Sequence, residues 1–116
     1  MTVRIYHNSR CSKSRGTLEL LQARGIEPEV VNYLDTPPSV DELRNLLHLL
    51  DMTPRQLLRT GEAEYKELGL GDPAVGDETI LQAMVTHPKL IERPIVVANG
   101  RAAIGRPPEA ALAILE

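Results

Sequence analysis

Residues 6–15 of this chain read Tyr6-His7-Asn8-Ser9-Arg10-Cys11-Ser12-Lys13-Ser14-Arg15 and contain its only cysteine. The stretch lies where an extended apolar run gives way to a helical pattern, which predicts a thiol between a strand end and the first turn of a helix. Unbonded backbone N–H groups and the positive end of the helix dipole favour a thiolate at such a position. These surroundings lower a cysteine pKa from about 8.5 into a range of about 3.5–7.5, and the thiolate is the nucleophilic form.

Basic side chains flank the cysteine on both sides, namely His7, Arg10, Lys13 and Arg15. Each is a candidate cationic neighbour of the thiolate. A lone intracellular cysteine is more often a small buried apolar residue. The polar and basic flanks argue against burial, so we interpret Cys11 as a reactive cysteine.

The composition indicates one globular domain, residues 1–116, with 42% hydrophobic and 25% charged residues. Three tyrosines are the only aromatic residues and the net charge is −3, so we expect no nucleic-acid partner. One cysteine excludes an internal disulfide, and no apolar run is long enough to span a bilayer. We therefore expect a cytoplasmic protein without a membrane partner. The single cysteine and three histidines have no ligand-like spacing, which predicts no bound metal.

The first third of the chain predicts a βαβ unit. Residues 2–6 and 29–34 have the composition of strands, and the helix between them ends near Arg24 with Gly25 as a left-handed stop. A connection of this length predicts two parallel strands with a right-handed crossover.

The middle of the chain predicts a helical insert at about residues 39–87. Ser39 and Glu42 form a capping box before the apolar residues at helical spacing in 40–50. Thr53 and Pro54 start a second, short helix, and further helices are expected at 62–68 and 77–86.

The last third predicts a ββα unit. Residues 94–98 form the continuous apolar run of a buried strand. Asn99 and Gly100 predict a hairpin turn into a return strand at 101–104, and a final helix is expected from 107 to about 115. The order βαβ, helical insert, ββα, with a thiol after the first strand, predicts an α/β fold of the thioredoxin-like (glutaredoxin-like) class around one mixed four-stranded sheet.

The residues after Cys11 restrict its chemistry. Redox members of this fold class commonly use C-x-x-C, and here Ser14 occupies the second cysteine position. The resolving thiol must therefore come from another molecule. The Ser14 hydroxyl is predicted either to donate to the Cys11 thiolate or simply to cap the helix or face solvent. Thiol phosphatases, and one class of arsenate reductases, use a loop with the pattern C-x-x-x-x-x-R. This chain does not have that loop, because Thr17 stands at the arginine position.

Four motifs together carry a resemblance that spans essentially the whole chain: His7-Asn8…Cys11…Ser14-Arg15…Thr17-Leu18, Tyr33-Leu34-Asp35-Thr36-Pro37-Pro38, Leu57-Leu58-Arg59, and Glu92-Arg93-Pro94-Ile95-Val96-Val97 with Gly105-Arg106-Pro107. On these motifs the chain resembles the glutaredoxin-dependent arsenate reductase family, in the subgroup whose loop reads His-Asn-x-Arg-Cys-Ser-Lys-Ser-Arg. Many family members have proline at position 9 and Gly-Thr at 12 and 13, where this chain has Ser9, Ser12 and Lys13.

The resemblance implies a role for each matching residue. Cys11 would attack arsenate and form a thiol–arsenate adduct, which glutathione resolves before glutaredoxin reduces the mixed disulfide and arsenite is released. His7 would lower the cysteine pKa, with Ser14 as the associated hydrogen-bonding serine. Pro94 would be the cis proline beside the nucleophile. Three arginines would hold the oxyanion, for which guanidinium groups are better suited than ammonium groups: Arg59, Arg93 and Arg106. Glutathione is implied as a co-substrate, with no bound cofactor.

Two alternatives stay open. One is a non-catalytic thioredoxin-like protein that binds RNA polymerase and regulates transcription. Ser14 argues against its disulfide switch, and the three arginines favour catalysis. The other is a general glutathione-dependent thiol oxidoreductase with a different substrate, which the sequence separates poorly from an arsenate reductase.

Overall fold

A computed structural model describes residues 2–115 of the chain. The chain divides into two compact units. The sheet unit contains the residues up to Thr36 and those from Arg93 onward, and the helical unit is Pro37–Glu92. None of the helices within residues 2–115 is long and apolar enough to cross a membrane.

The sheet unit is built on four strands, β1 (Val3–His7), β2 (Glu29–Asn32), β3 (Ile95–Ala98) and β4 (Arg101–Ile104). Their order in the sheet is β2–β1–β3–β4. β2 is parallel to β1, whereas β3 is antiparallel to β1 and β4 is antiparallel to β3. The predicted mixed sheet of the thioredoxin-like class is therefore confirmed.

This topology brings four chain segments to one edge of the sheet. The carboxyl ends of β1, β2 and β4 and the amino end of β3 all lie there, because β3 alone runs opposite to the other three. Cys11 follows β1, Arg93 precedes β3 and Arg106 follows β4. The strand directions thus collect residues that are far apart in sequence.

Helix α1 (Ser12–Ala23) connects β1 to β2 and covers the sheet with its buried residues Ser14, Thr17 and Leu21. It ends as predicted, with Gly25 in the left-handed region at φ +76°. The core of the unit consists of the buried residues Val3, Ile5, Leu21, Val96, Ala98, Ala111 and Ile114.

At one end of the sheet the predicted hairpin turn is confirmed, and at the other end β2 is shorter than predicted. Asn99 (φ 56°) and Gly100 (φ 70°) form the predicted hairpin turn with two positive φ angles. β2 ends at Asn32 rather than at residue 34, because the backbone N–H groups of Asp35 and Thr36 both donate to the Asn32 carbonyl and start a turn.

The last element is a 3-10 helix (Pro108–Ile114), so the prediction of an ordinary final helix is wrong in type. Ala and Leu favour helix without distinguishing i+3 from i+4 hydrogen bonding. Its buried residues, Ala111 and Ile114, are three apart. A helix with three residues per turn places both on the face that packs on the core.

The helical unit contains α2 (Val40–Leu50), α3 (Pro54–Leu57), α4 (Ala63–Glu67), α5 (Asp77–Thr86) and a 3-10 helix at Pro88–Leu90. Ser39 Oγ accepts the N–H of Glu42 at the start of α2, which is one of the two hydrogen bonds of the predicted capping box. Thr53 and Gln56 form a full reciprocal capping box at the start of α3. Within this unit the segments around Leu58 and Ile91 pair as a short antiparallel bridge.

Candidate active site

Cys11 is the N-cap residue of α1, in extended conformation with φ −99° and ψ 124°. Its backbone N–H donates to the Asn8 carbonyl at 3.0 Å, which closes a tight turn after β1. The thiol is half-buried, as the polar flanks indicated. The first turn of α1 contains no acidic residue, so no carboxylate competes with the sulfur for the helix N-terminus.

The surroundings of Cys11 stabilise its thiolate. Burial by itself raises the pKa of the thiol, but the backbone N–H groups of Ser14 and Lys13 and the guanidinium of Arg93 outweigh that effect. The net result is a Cys11 pKa below its ordinary value. The predicted activation by the helix start is therefore supported by named donors, and Arg93 adds to it both a hydrogen bond and a charge.

A second guanidinium stands beside the sulfur. Arg106 Nη1 lies 3.8 Å from Cys11 Sγ and donates to the Arg93 carbonyl at 3.3 Å. The structure thus brings Arg93 and Arg106, both predicted from the resemblance, to the thiol at the end of β1. Two guanidinium groups beside a thiolate offset its repulsion of an anionic substrate and can donate to the substrate's oxygens.

The peptide bond before Pro94 is cis, as the resemblance implied, and so is the one before Pro107. Sequence reasoning did not anticipate the second. The two prolines flank β3 and β4 at the same edge, and the N–H of Gly105 donates to the Pro94 carbonyl at 2.9 Å.

Thr17 is a residue of this site whose place sequence reasoning missed. Its buried hydroxyl lies 2.8 Å from the Lys13 carbonyl and 3.3 Å from the Gly105 carbonyl. A Cβ atom at Gly105 would lie 2.4 Å from Thr17 Oγ1 and 2.9 Å from Pro94 Cγ, so only glycine fits before Arg106. The signal was present in the spacing of Ser14, Thr17 and Leu21, which are the buried residues of one helix face.

The prediction that the Ser14 hydroxyl donates to the Cys11 thiolate is wrong. Ser14 Oγ accepts the backbone N–H of Asn8 at 2.9 Å and lies 2.8 Å from His7 Nδ1. These two partners hold the fully buried hydroxyl on the side of β1, and the contribution of Ser14 to the thiol comes from its backbone N–H.

The surroundings of His7 disfavour its cationic form. Burial lowers the pKa of His7, and the positive charge of Arg15 lowers it further. His7 is linked to the Cys11 turn through Ser14. Arg15 braces the same turn by donating from Nη1 to the Ser9 carbonyl at 2.9 Å.

Arg59, the third predicted arginine, belongs to the helical unit. Its Nη1 donates to Glu92 Oε1 at 2.8 Å, and its Nε lies 3.4 Å from Glu62 Oε1. The antiparallel bridge places Arg59 beside the Leu90 carbonyl, to which its backbone N–H donates at 2.7 Å. Its part in substrate binding stays a prediction.

Residues 6–114 match the model of the ArsC family. The chain is 59% identical to the uncharacterized protein YfgD of Escherichia coli K12, over 97% of this chain and 96% of that one. It is 50% identical to an arsenate reductase of Neisseria meningitidis serogroup A, over 97% of each chain. Among solved structures, an arsenate reductase from Vibrio cholerae superimposes with a TM-score of 0.96 at 55% identity, covering 98% of both chains.

Proposed function

Because this chain belongs to the ArsC family, we propose that it is an arsenate reductase that works through a covalent adduct on Cys11. The observation that carries the proposal is the meeting of one activated thiolate with two arginines at the same edge of the sheet. The names of two close relatives, from Neisseria meningitidis and Vibrio cholerae, support arsenate as the substrate.

In the first step the Cys11 thiolate attacks the arsenic atom of arsenate. A sulfur–arsenic bond forms, one arsenic–oxygen bond breaks, and the departing oxygen leaves as water after taking up a proton. Arsenic remains pentavalent. Arg93 and Arg106 lie beside the sulfur, where they can donate to the arsenate oxygens and balance charge that accumulates on them.

In the second step a thiolate from outside the chain attacks Cys11 Sγ. A sulfur–sulfur bond forms, the sulfur–arsenic bond breaks, and its electron pair stays on arsenic, which leaves as trivalent arsenite. The chain has one cysteine and no second thiol to supply, and we assign this role to glutathione.

In the third step glutaredoxin attacks the glutathione sulfur of the mixed disulfide. Cys11 leaves as a thiolate and the glutathione is transferred to glutaredoxin, which a further glutathione regenerates. The lowered pKa of Cys11 favours this step, because a low-pKa thiol is a good leaving group. Arg59 is proposed as a further arsenate ligand that Glu92 and Glu62 orient.

The test is NADPH oxidation by the purified chain in the presence of glutathione, glutaredoxin and glutathione reductase, with and without arsenate. We expect arsenate-dependent oxidation for the unmodified chain and none for Cys11→Ala. Absence of any arsenate dependence would contradict the proposal. A second mixture, without glutaredoxin and with 2-hydroxyethyl disulfide in place of arsenate, tests the alternative function. A general thiol oxidoreductase would reduce the disulfide in that mixture and would show no dependence on arsenate.

A further inference from the structure

A cavity of about 300 Å³ lies in the sheet unit on the β2 side of the Cys11 turn. The turn contributes Asn8, Ser9 and Arg10 to its wall, and the segment that follows β2 contributes Asn32, Leu34 and Asp35. The volume is at the lower end of the range of about 300–1,000 Å³ found for small-molecule sites. The steps assigned to arsenate above use no residue of this cavity.

The strand order fixes where the cavity lies relative to the arginines. β1 stands between β2 and β3 in the sheet, and Cys11 follows β1. Arg93 and Arg106 belong to the ends of β3 and β4, on one side of Cys11. The cavity belongs to the ends of β1 and β2, on the other side, and its wall reaches Arg10, the residue before Cys11.

Displacement at a divalent sulfur is in line, so the attacking and leaving atoms stand on opposite sides of the sulfur. In the adduct of the proposed function, arsenic is the leaving atom and lies on the side of Arg93 and Arg106. This geometry directs the attacking thiol to Cys11 Sγ from the side away from the two arginines, and in the sheet that is the β2 side. The cavity is the concave surface on that side of the turn.

The charges in the cavity fit a thiol compound that carries both carboxylate and ammonium groups. Arg10 and Asp35 are exposed side chains of opposite sign in the same wall. Among residues 2–115, neither takes part in a salt bridge, so both charges are available to a ligand. The amide of Asn32 and the apolar Leu34 complete a surface suited to a short peptide.

We propose that this cavity is the docking site of the resolving thiol, a small zwitterionic peptide of the glutathione type, and thereby sets the direction of its attack on Cys11. The proposal rests on the proposed function. Arg10 faces a carboxylate of the peptide and Asp35 faces its ammonium group, while its thiol extends past Arg10 to Sγ. In this proposal the segment after β2 binds the resolving thiol, whereas the arsenate steps use no residue of that segment.

The binding test uses the full, reduced chain and S-methylglutathione, which cannot react. In an NMR titration, the backbone amides of Asn8, Asn32 and Asp35 are expected to shift most. Asp35→Asn and Arg10→Gln should each weaken binding by about two- to fivefold, the loss typical of an exposed charged contact. Shifts centred on the residues around Arg93 and Arg106 would overturn the proposal.

The kinetic test uses the same variants in the coupled assay. Each should raise the KM for glutathione by about two- to fivefold and leave the KM for arsenate unchanged. In a separate single-turnover measurement of arsenite release, with 2-mercaptoethanol as the attacking thiol, both variants should match the unmodified chain, because this thiol carries neither charge. Arg24→Gln and Glu27→Gln, exposed charges at the opposite edge of the sheet, are the controls and should change nothing.

The outcomes separate this inference from the proposed function. If the unmodified chain shows no arsenate-dependent turnover but S-methylglutathione still binds at Asp35, the proposed function fails and the docking site stands. If turnover is normal and Asp35→Asn and Arg10→Gln leave the KM for glutathione unchanged, the docking site fails and the proposed function stands. An equal rise in the KM for arsenate would also overturn the docking site.

Discussion

Two helices of the helical unit, α2 and α3, begin in a different way from α1 of the sheet unit. In the helical unit, Ser39 Oγ closes the start of α2 and Thr53 Oγ1 closes the start of α3, each by accepting a backbone N–H. In the sheet unit, α1 begins at Cys11 without a side-chain cap of this kind. Its first-turn N–H groups, at Lys13 and Ser14, lower the pKa of the thiol instead.

The difference shows what the same helix N-terminus can be used for. A hydroxyl cap contributes about 1 kcal/mol to stability and takes part in no further chemistry. When a thiol stands at the same position, the helix dipole and the N–H groups stabilise its thiolate and so lower its pKa. The α1 start therefore serves reactivity, and the α2 and α3 starts serve stability.

The largest effect is expected when the α1 start is converted to the other type. Cys11→Ser supplies an N-cap hydroxyl, so the free energy of unfolding should rise by about 0.5–1 kcal/mol. Arsenate turnover should fall by at least about 10³-fold, because a serine hydroxyl is not ionised at neutral pH. Chemical denaturation and the coupled assay measure the two effects. A variant that keeps its turnover would remove the distinction between the two kinds of helix start.

The next effect concerns Arg93 and Arg106, which lie beside Cys11 at the start of α1. Arg93→Gln and Arg106→Gln should each lower kcat/KM for arsenate by about 10²–10³-fold, as loss of one oxyanion donor does. Arg93→Gln should in addition raise the Cys11 pKa. Arg101→Gln, an exposed arginine in β4, is the matched control. Unchanged arsenate kinetics in either variant would refute its place at the site.

A smaller effect tests which atom of Ser14 acts on the thiol. Ser14→Ala leaves the N–H of Asn8 and His7 Nδ1 without their partner, which should cost about 1–3 kcal/mol of stability. The pH at which Cys11 alkylation is half-maximal should stay the same, because the backbone N–H of Ser14 is retained. Ser12→Ala, at an exposed position, is the control and should change stability by less than about 0.5 kcal/mol. A large upward shift of the alkylation midpoint in Ser14→Ala would restore a direct role for the hydroxyl.

The smallest effect is expected at the cap of α2. Ser39→Ala should lower the free energy of unfolding by about 1 kcal/mol, since it removes the acceptor of the Glu42 N–H. The alkylation midpoint of Cys11 and the KM for arsenate should be those of the unmodified chain. A changed midpoint would show that the two kinds of helix start are not independent.

Local signals in the sequence predicted local structure well. The stop at Gly25, the turn at Asn99 and Gly100, and the starts at Ser39 and Thr53 each depend on interactions within a few residues. Each was confirmed. The bounds of β2 and the 3-10 form of the last helix were not predicted, because hydrogen bonding at Asn32 and packing on the core decide them.

The sequence predicted which residues belong to the site better than it predicted how they are arranged. Arg106 is 95 residues from Cys11, and strand directions bring the two together in a way that spacing does not reveal. The resemblance supplied Arg93 and Arg106. The partner of the Ser14 hydroxyl was predicted wrongly because the folded end of β1 places the N–H of Asn8 and Nδ1 of His7 next to it, and local sequence does not show this packing.

The most direct test of the central claim is the rate at which iodoacetamide alkylates Cys11, measured by mass spectrometry across pH with and without arsenate. Because only the thiolate reacts, a lowered pKa predicts a half-maximal rate at a pH below that of a free thiol, and arsenate at neutral pH should slow the labelling. A midpoint at or above about 8.5, with no protection by arsenate, would contradict the account of Cys11 as an activated thiolate that accepts this oxyanion.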